Sequence, residues 1–151
     1  LDAAGAAGIS MFNRFFQPDI DLDTLSVVDR VQLSSSADTL LAMRLIAILR
    51  GSTTLSLAAT GGVHTAADAL KMLLAGADVV HMASALLKRG PQALSQVLQG
   101  MTDWLAEREY TSVAQMKGSM SQQNSPNPSA FARASYLHAI NSFTPPAGVR
   151  Y

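Results

Sequence analysis

The residues best suited to chemistry are two consecutive glycines in Ala59-Thr60-Gly61-Gly62-Val63-His64-Thr65, between an apolar run and a helical pattern. Glycine tolerates positive φ and lets the backbone approach a ligand closely. A helix start just behind presents free N–H groups and the positive end of a dipole. Both features suit a phosphate. A tight strand-to-helix turn without a ligand uses Gly-Gly equally well, so the pair alone leaves both readings open. The next unit favours the phosphate. Asp78-Val-Val-His-Met-Ala83 runs into Ser84-Ala85-Leu86, and small residues again stand where a strand meets a helical turn. In barrel enzymes the loops after the last two strands and a short helix commonly form the phosphate site. Backbone amides from Gly61, Gly62, Ala83 and Ser84 then need no cationic partner, and Lys88 and Arg89 read as solvated surface charges.

Asn13 follows the apolar segment Gly8-Ile-Ser-Met-Phe12. A polar residue at the C-terminal end of a buried strand points to the site region of an α/β sheet. Its side chain donates and accepts, which suits a heterocyclic amide or a carboxylate, or else a structural turn. Arg14 suits an anionic substrate or, the simpler reading, surface pairing with Asp19, Asp21 or Asp23.

Other candidates are weaker. His64 reads as a loop residue beside the glycines, His81 as a buried, hydrogen-bonded strand residue, and His138 as part of the tail. No two of them have metal-ligand spacing, so no metal site is expected. The chain has no cysteine, which excludes a thiolate nucleophile, a disulfide framework and a Cys-based metal site, and suits a reducing, cytoplasmic setting. Ser10, Ser56 and Ser84 lack a recognisable His/Asp partner set. The seven methionines read as core filler.

The elements that must position these residues alternate. Strands are expected at 8–12, 54–59 and 78–83, and near-continuous apolar runs fit a parallel sheet covered on both faces. Helices are expected at 36–50, 65–75 and 92–109. The second opens on Thr65-Ala-Ala-Asp68, close to a capping box, and stops at Gly76. Its apolar face is Ala69, Leu70, Leu73 and Leu74; that of the third is Leu94, Val97, Leu98, Met101, Trp104 and Leu105. Residues 13–35 read as a loop. The order strand–loop–helix–strand–helix–strand–helix implies right-handed βα units. Three strands cannot close an eight-stranded barrel of about 250 residues, so the sheet is open or the first strands of a barrel lie elsewhere. The stretch 119–127 is rich in Ser, Gln and Asn, a short helix is expected over 130–143 with Phe131, Ala134, Tyr136, Leu137 and Ile140 as anchors, and 144–148 reads as a loose end.

Composition sets the outer bounds. The 151 residues are 48% apolar and 15% charged, enough for one domain with a sizeable core. Eleven basic residues balance eleven acidic ones, which argues against a nucleic-acid partner. No apolar run approaches the roughly 20 residues of a membrane span, so no membrane association is expected. The opening Leu1-Asp-Ala-Ala-Gly5 has neither the basic nor the apolar region of a secretory signal and reads as the continuation of a longer chain.

Several of these segments resemble dihydroorotate dehydrogenase-like proteins. Gly8-Ile-Ser-Met-Phe-Asn-Arg-Phe15 with Gln17-Pro-Asp-Ile-Asp21 resembles the sixth barrel strand and its loop. Ala59-Thr-Gly-Gly-Val-His-Thr-Ala-Ala-Asp68 and Leu74-Ala-Gly-Ala-Asp-Val-Val-His-Met-Ala-Ser84 resemble the seventh and eighth strand units. Trp104-Leu105, Tyr110-Thr-Ser112 and Gly118-Ser-Met-Ser121 are similar to the closing helix and tail. The double-glycine unit is shared with many phosphate-binding barrels; its combination with the Phe-Asn strand end and the tail is more specific.

The resemblance implies an FMN-dependent (β/α)8 TIM barrel that oxidises dihydroorotate, or a related small molecule, in pyrimidine synthesis. Residues 1–120 would be the C-terminal part of that barrel and 121–151 a C-terminal extension. Gly61, Gly62, Ala83 and Ser84 would hold the FMN phosphate through backbone amides, Phe12 would lie beside the flavin through its main chain, and Asn13 would hydrogen-bond the substrate. Ala83 stands where relatives often have glycine, Arg14 where they have a small hydroxyl residue, and Ser34-Ser35-Ser36 where they have a glycine-rich loop. The family's general base, a Cys or Ser on a loop of the first half, has no counterpart here. No catalytic residue is therefore assigned, and the isolated chain is expected to be inactive. Two alternatives stand beside this reading. One is a non-redox phosphate-binding barrel enzyme acting on a sugar phosphate. The other is a non-catalytic fragment whose open strand edges and uncovered apolar surface allow a homodimer.

Overall fold

The structure is a computed structural model, and it describes residues 1–13, 17–132 and 134–144. Its centre is a three-stranded parallel sheet in the order β1-β4-β5. β1 is Gly8–Met11, β4 is Ser56–Ala59 and β5 is Val79–Val80. Gly8 pairs with Ser56 and Met11 with Ala59; Ala58 then pairs with Val79. This is the expected parallel α/β arrangement.

Between β1 and β4 stands an element the expected loop did not contain. β2 (Asp19–Asp21) and β3 (Ser26–Val28) form an antiparallel hairpin. Asp21 Oδ1 caps its turn, accepting the N–H groups of Asp23 and Thr24 at 2.9 Å each. Those two backbone bonds hold the Asp21 carboxyl below its ordinary value. Ile20, Leu22, Leu25 and Val27 of the hairpin are all exposed, so no buried face revealed it as strand.

The helices lie where the apolar spacing put them. α1 (Thr39–Leu49) follows a 3-10 turn at Ser36–Asp38 and buries Ala42, Ile46 and Ala47, while Leu40 and Leu41 face outward. α2 (Ala66–Ala75) has Thr65 as N-cap: Thr65 Oγ1 accepts the Asp68 N–H at 3.2 Å, completing the expected capping box. It ends at Gly76, whose φ of 123° and close approach to the Arg50 side chain exclude a side chain there. α3 is Ser84–Arg89 and α4 is Gln92–Glu107. α4 packs on α2 where Gly100 faces the Ala66 methyl, and it buries Ala93 and Val97 but leaves Leu94 and Leu98 exposed. Trp104 stacks on Tyr110 at 5.7 Å.

The core is one-sided. Met11, Ile46, Leu57, Ala59 and Met72 pack between the sheet and α1 and α2. Gly8, Ser10, Ser56 and Val79 on the opposite face are exposed. The expectation of a sheet covered on both faces is corrected: among the described residues, helices cover one. Met11, Met72 and Met116 are buried core residues, but Met120 is exposed, so the reading of all seven methionines as core filler is corrected.

Asp78 bolts the layers together. Its carboxylate accepts from Arg50 at 2.8 Å, from Lys117 at 2.6 Å and from the Leu57 N–H at 2.9 Å. Burial raises its pKa, but these three donors outweigh that and hold it below the ordinary value. The chain beyond α5 (Val113–Met116) returns across the core, with the Gln122 N–H on the Ala47 carbonyl at 2.9 Å. The expected helix over 130–143 is two pieces, a 3-10 turn at Pro128–Phe131 and α6 at Ala134–Asn141. Phe131 packs on the core, whereas Tyr136 and Ile140 are exposed and are not anchors. The side chains of Ala134, Leu137 and His138, and the stretch 145–151, lie outside the described residues. No helix among the described residues is long and apolar enough to cross a membrane.

Candidate functional site

All three sheet strands are parallel, so their C-terminal ends share one edge, where an α/β sheet places its ligands. The ladder bonds continue past the strands and align those ends. Thr60 N–H donates to the Met11 carbonyl at 2.8 Å and Phe12 N–H to the Thr60 carbonyl at 3.3 Å. His81 N–H donates to the Ala59 carbonyl at 2.8 Å. Phe12-Asn13, Gly61-Gly62 and Ala83-Ser84 are thereby brought to the same edge.

A cavity of about 310 Å³ opens there, lined by Phe12, Asn13, Ser34, Asp38, Thr60 and Gly61 among others. A groove of about 430 Å³ between Ile48, Gly51 and Gln122 is larger but has no titratable side chain in its lining. Phe12 is 38% exposed, and Asn13 is exposed, so the Asn13 amide offers a donor and an acceptor to an occupant. Arg14 lies outside the described residues.

The two glycines differ in duty. Gly61 has φ 92° and open space where a Cβ would stand. Gly62 has φ 80° and is buried, and a Cβ on it would fall 2.5 Å from the Thr39 N–H nitrogen and 2.8 Å from the Asp38 carbonyl carbon. Gly61 faces the cavity and Gly62 lets the turn pack on the start of α1.

Ser34 joins these parts, and nothing local in the sequence marks it out. It is 6% exposed. Its Oγ accepts the Gly62 N–H at 3.3 Å and lies 3.1 Å from His64 Nε2. Its N–H donates to Ser84 Oγ at 3.1 Å, and its carbonyl accepts Lys88 Nζ at 2.7 Å. Two residues on, Ser36 Oγ donates to Asp68 Oδ2 at 2.7 Å, and the same oxygen accepts the His64 and Thr65 N–H groups at 3.0 and 2.9 Å. Burial of Asp68 raises its pKa, yet the donors from Ser36, His64 and Thr65 outweigh it and keep the carboxyl below its ordinary value. A partial signal for this segment was present: Ser35-x-x-Asp38 has capping-box spacing, and Asp38 Oδ2 accepts the Ser35 N–H at 2.7 Å.

Three readings are corrected here. Lys88 and Arg89 are not merely solvated: Lys88 binds the Ser34 carbonyl and Arg89 donates to the His64 carbonyl. His81 is exposed, not buried in a strand, because β5 ends at Val80 and His81 lies just past it, its N–H on the Ala59 carbonyl. His64 is more than a loop residue, since its ring meets Ser34 and its backbone is held at both ends. Ala83 is the N-cap position of α3 with Ser84 at its first turn, so the backbone N–H groups there have no partners within the helix. No group of three or more His, Asp or Glu among the described residues is placed to hold a metal ion.

Known proteins resemble much of this chain in sequence and in fold. Residues 2–105 match the family model for dihydroorotate dehydrogenase. The chain is 30% identical over 122 residues to the dihydroorotate dehydrogenase B (NAD(+)) catalytic subunit of Trichlorobacter lovleyi, covering 79% of this chain and 40% of that one. It is 34% identical over 115 residues to dihydroorotate dehydrogenase A (fumarate) of Lactiplantibacillus plantarum, covering 74% and 37%. The chain thus spans about 40% of the length of the curated relatives it matches. The crystal structure of DHODH from Eimeria tenella in complex with ferulenol superposes with a TM-score of 0.62 at 21% identity, covering 77% of this chain and 31% of that one, which places the fold in the TIM-barrel family. The resemblance noted on the Phe-Asn strand end and the two strand-to-helix turns therefore holds over most of the chain, and the chain belongs to the dihydroorotate dehydrogenase family.

Proposed function

We propose that this chain forms the phosphate end and one substrate contact of an FMN-dependent oxidoreductase of the dihydroorotate dehydrogenase class, acting on dihydroorotate or a related small molecule in pyrimidine synthesis. The observation that carries this is the shared edge: Gly61, with open space at its Cβ, lines the same cavity as Asn13 and Phe12. Residues 1–120 are read as the last strands and helices of a TIM barrel and 121–151 as its extension. The exposed face of β1 and β4, with Gly8, Ser10 and Ser56, lies opposite the helices, as the inner face of a barrel does.

The residues present fit the phosphate of FMN. The backbone amides of the Gly61-Gly62 turn are the groups offered to the anion, since the start of α2 itself is already capped by the Asp68 carboxylate. The amides of Ala83 and Ser84 begin α3 beside it. When bound, FMN supplies the two-electron acceptor for oxidation of a CH–CH bond. This chain's own work is positional. Gly61, Gly62, Ala83 and Ser84 would hold the phosphate through backbone amides, Phe12 would lie beside the flavin through its main chain, and Asn13 would hydrogen-bond the substrate. The chain supplies no general base by this reading, and by itself it turns over no substrate.

The test is the visible absorption spectrum of the protein purified from its host. Flavin bands, with FMN released on denaturation, are the expected result. A colourless protein that also fails to take up added FMN overturns the reading.

A further inference from the structure

Ser34 occupies both ends of the candidate site at once. Its hydroxyl takes the N–H of Gly62, one of the amides assigned to the phosphate, and its own N–H engages Ser84, whose backbone is assigned to the same phosphate. Ser34 also lines the cavity bounded by Phe12 and Asn13. We propose that Ser34 is a latch: its hydroxyl keeps the buried Gly62 N–H satisfied while the site is empty, and yields that N–H to a phosphomonoester on binding. This rests on the reading of the glycine turn as the FMN phosphate site.

Three physical points support the exchange. A buried backbone N–H needs a partner, so Gly62 cannot wait unpaired for a ligand. At 3.3 Å the Ser34 bond is longer than the usual N–H···O distance and therefore weak. A phosphate oxygen offers a charge-assisted bond, about twice as strong as a neutral one. Ser34 is otherwise anchored by Lys88 on its carbonyl and Ser84 on its N–H, and its hydroxyl has His64 Nε2 at 3.1 Å as an alternative partner. The hydroxyl can thus release Gly62 without itself being stranded.

The experiment is a titration of the chain with FMN and with riboflavin, which lacks the phosphate, for the wild type, Ser34→Ala and Ser34→Thr. The latch predicts that the wild type prefers FMN, that Ser34→Ala binds FMN about fivefold tighter with riboflavin unchanged, and that Ser34→Thr, which keeps the hydroxyl, returns to wild type. Equal or weaker FMN binding by Ser34→Ala, with the FMN preference kept, overturns the latch alone. No preference for FMN over riboflavin in the wild type, or no binding of either, overturns the phosphate site and the latch with it. A second measurement needs no variant. Hydrogen exchange of the wild-type chain on adding FMN should slow at Gly62 and stay unchanged at Ser34, whose N–H remains on Ser84 Oγ; no slowing at Gly62 overturns the latch.

Discussion

Ser36 Oγ donates to Asp68 Oδ2 at 2.7 Å, and the same carboxylate oxygen caps the start of α2 through the His64 and Thr65 N–H groups. One buried oxygen therefore fixes the helix N-terminus and pins the serine segment against the glycine turn. Asp68→Asn keeps the shape but weakens three bonds to a charged acceptor, and should cost about 1–2 kcal/mol, measured by urea unfolding. A midpoint unchanged from wild type would show that the cap carries no stability.

Asp68 and Asp78 also set the acid limit. Both carboxyls titrate lower in the folded chain than the ordinary value of 3.8. Between the two values the unfolded chain binds the extra protons, so their contribution is complete above the ordinary carboxylate value and is lost as pH falls through the lowered folded one. Stability should be flat from neutral pH down to the ordinary carboxylate range and fall below it. Asp68→Asn should shallow that fall, which thermal melts across the acid range would show.

Asp78→Ala removes the partner of Arg50, Lys117 and the Leu57 N–H together. The side chain of Asp78 is 19% exposed, so solvent moderates the loss, and about 2 kcal/mol is expected, a melting temperature lower by several degrees. A melting temperature within a degree of wild type would contradict the role given to this cluster.

The two glycines should separate in a melting experiment. Gly62→Ala drives a Cβ to 2.5 Å from the backbone of Thr39 at positive φ, and should cost about 3 kcal/mol or more. Gly61→Ala meets no atom within 4 Å and pays only for its φ of 92°, about 1 kcal/mol. Equal losses for the two would refute the division of labour between them.

Asn13→Ala should weaken orotate binding about tenfold, the worth of a polar contact to a charged ligand, while leaving the melting temperature unchanged because Asn13 is exposed. Under the function proposed above, orotate titration of the protein purified from its host checks this, and unchanged affinity would remove Asn13 from the substrate contact.

The sequence by itself determined what depends on near neighbours. The capping box of Thr65 and Asp68, the stop at Gly76 and the buried stripe of Ala69, Leu70 and Leu73 follow from spacings of three and four residues, which a helix turns into contacts. The parallel strands were legible because their apolar runs are broken by helical patterns of the right length. The Phe-Asn strand end and both strand-to-helix turns were legible as family motifs. The hairpin of β2 and β3 was not, since its apolar side chains face outward and its turn is held by Asp21, whose Asx geometry outranks any hydrophobic period. Tertiary structure alone decided the roles of Ser34, Lys88 and Arg89. Ser34 meets Ser84 across 50 positions and Lys88 across 54, and a hydroxyl or an ammonium has no local pattern that names so distant a partner. His81 shows the same limit: it was expected inside a buried strand, but β5 ends at Val80, and where the ladder stops and which face of the sheet the helices cover are settled only by packing.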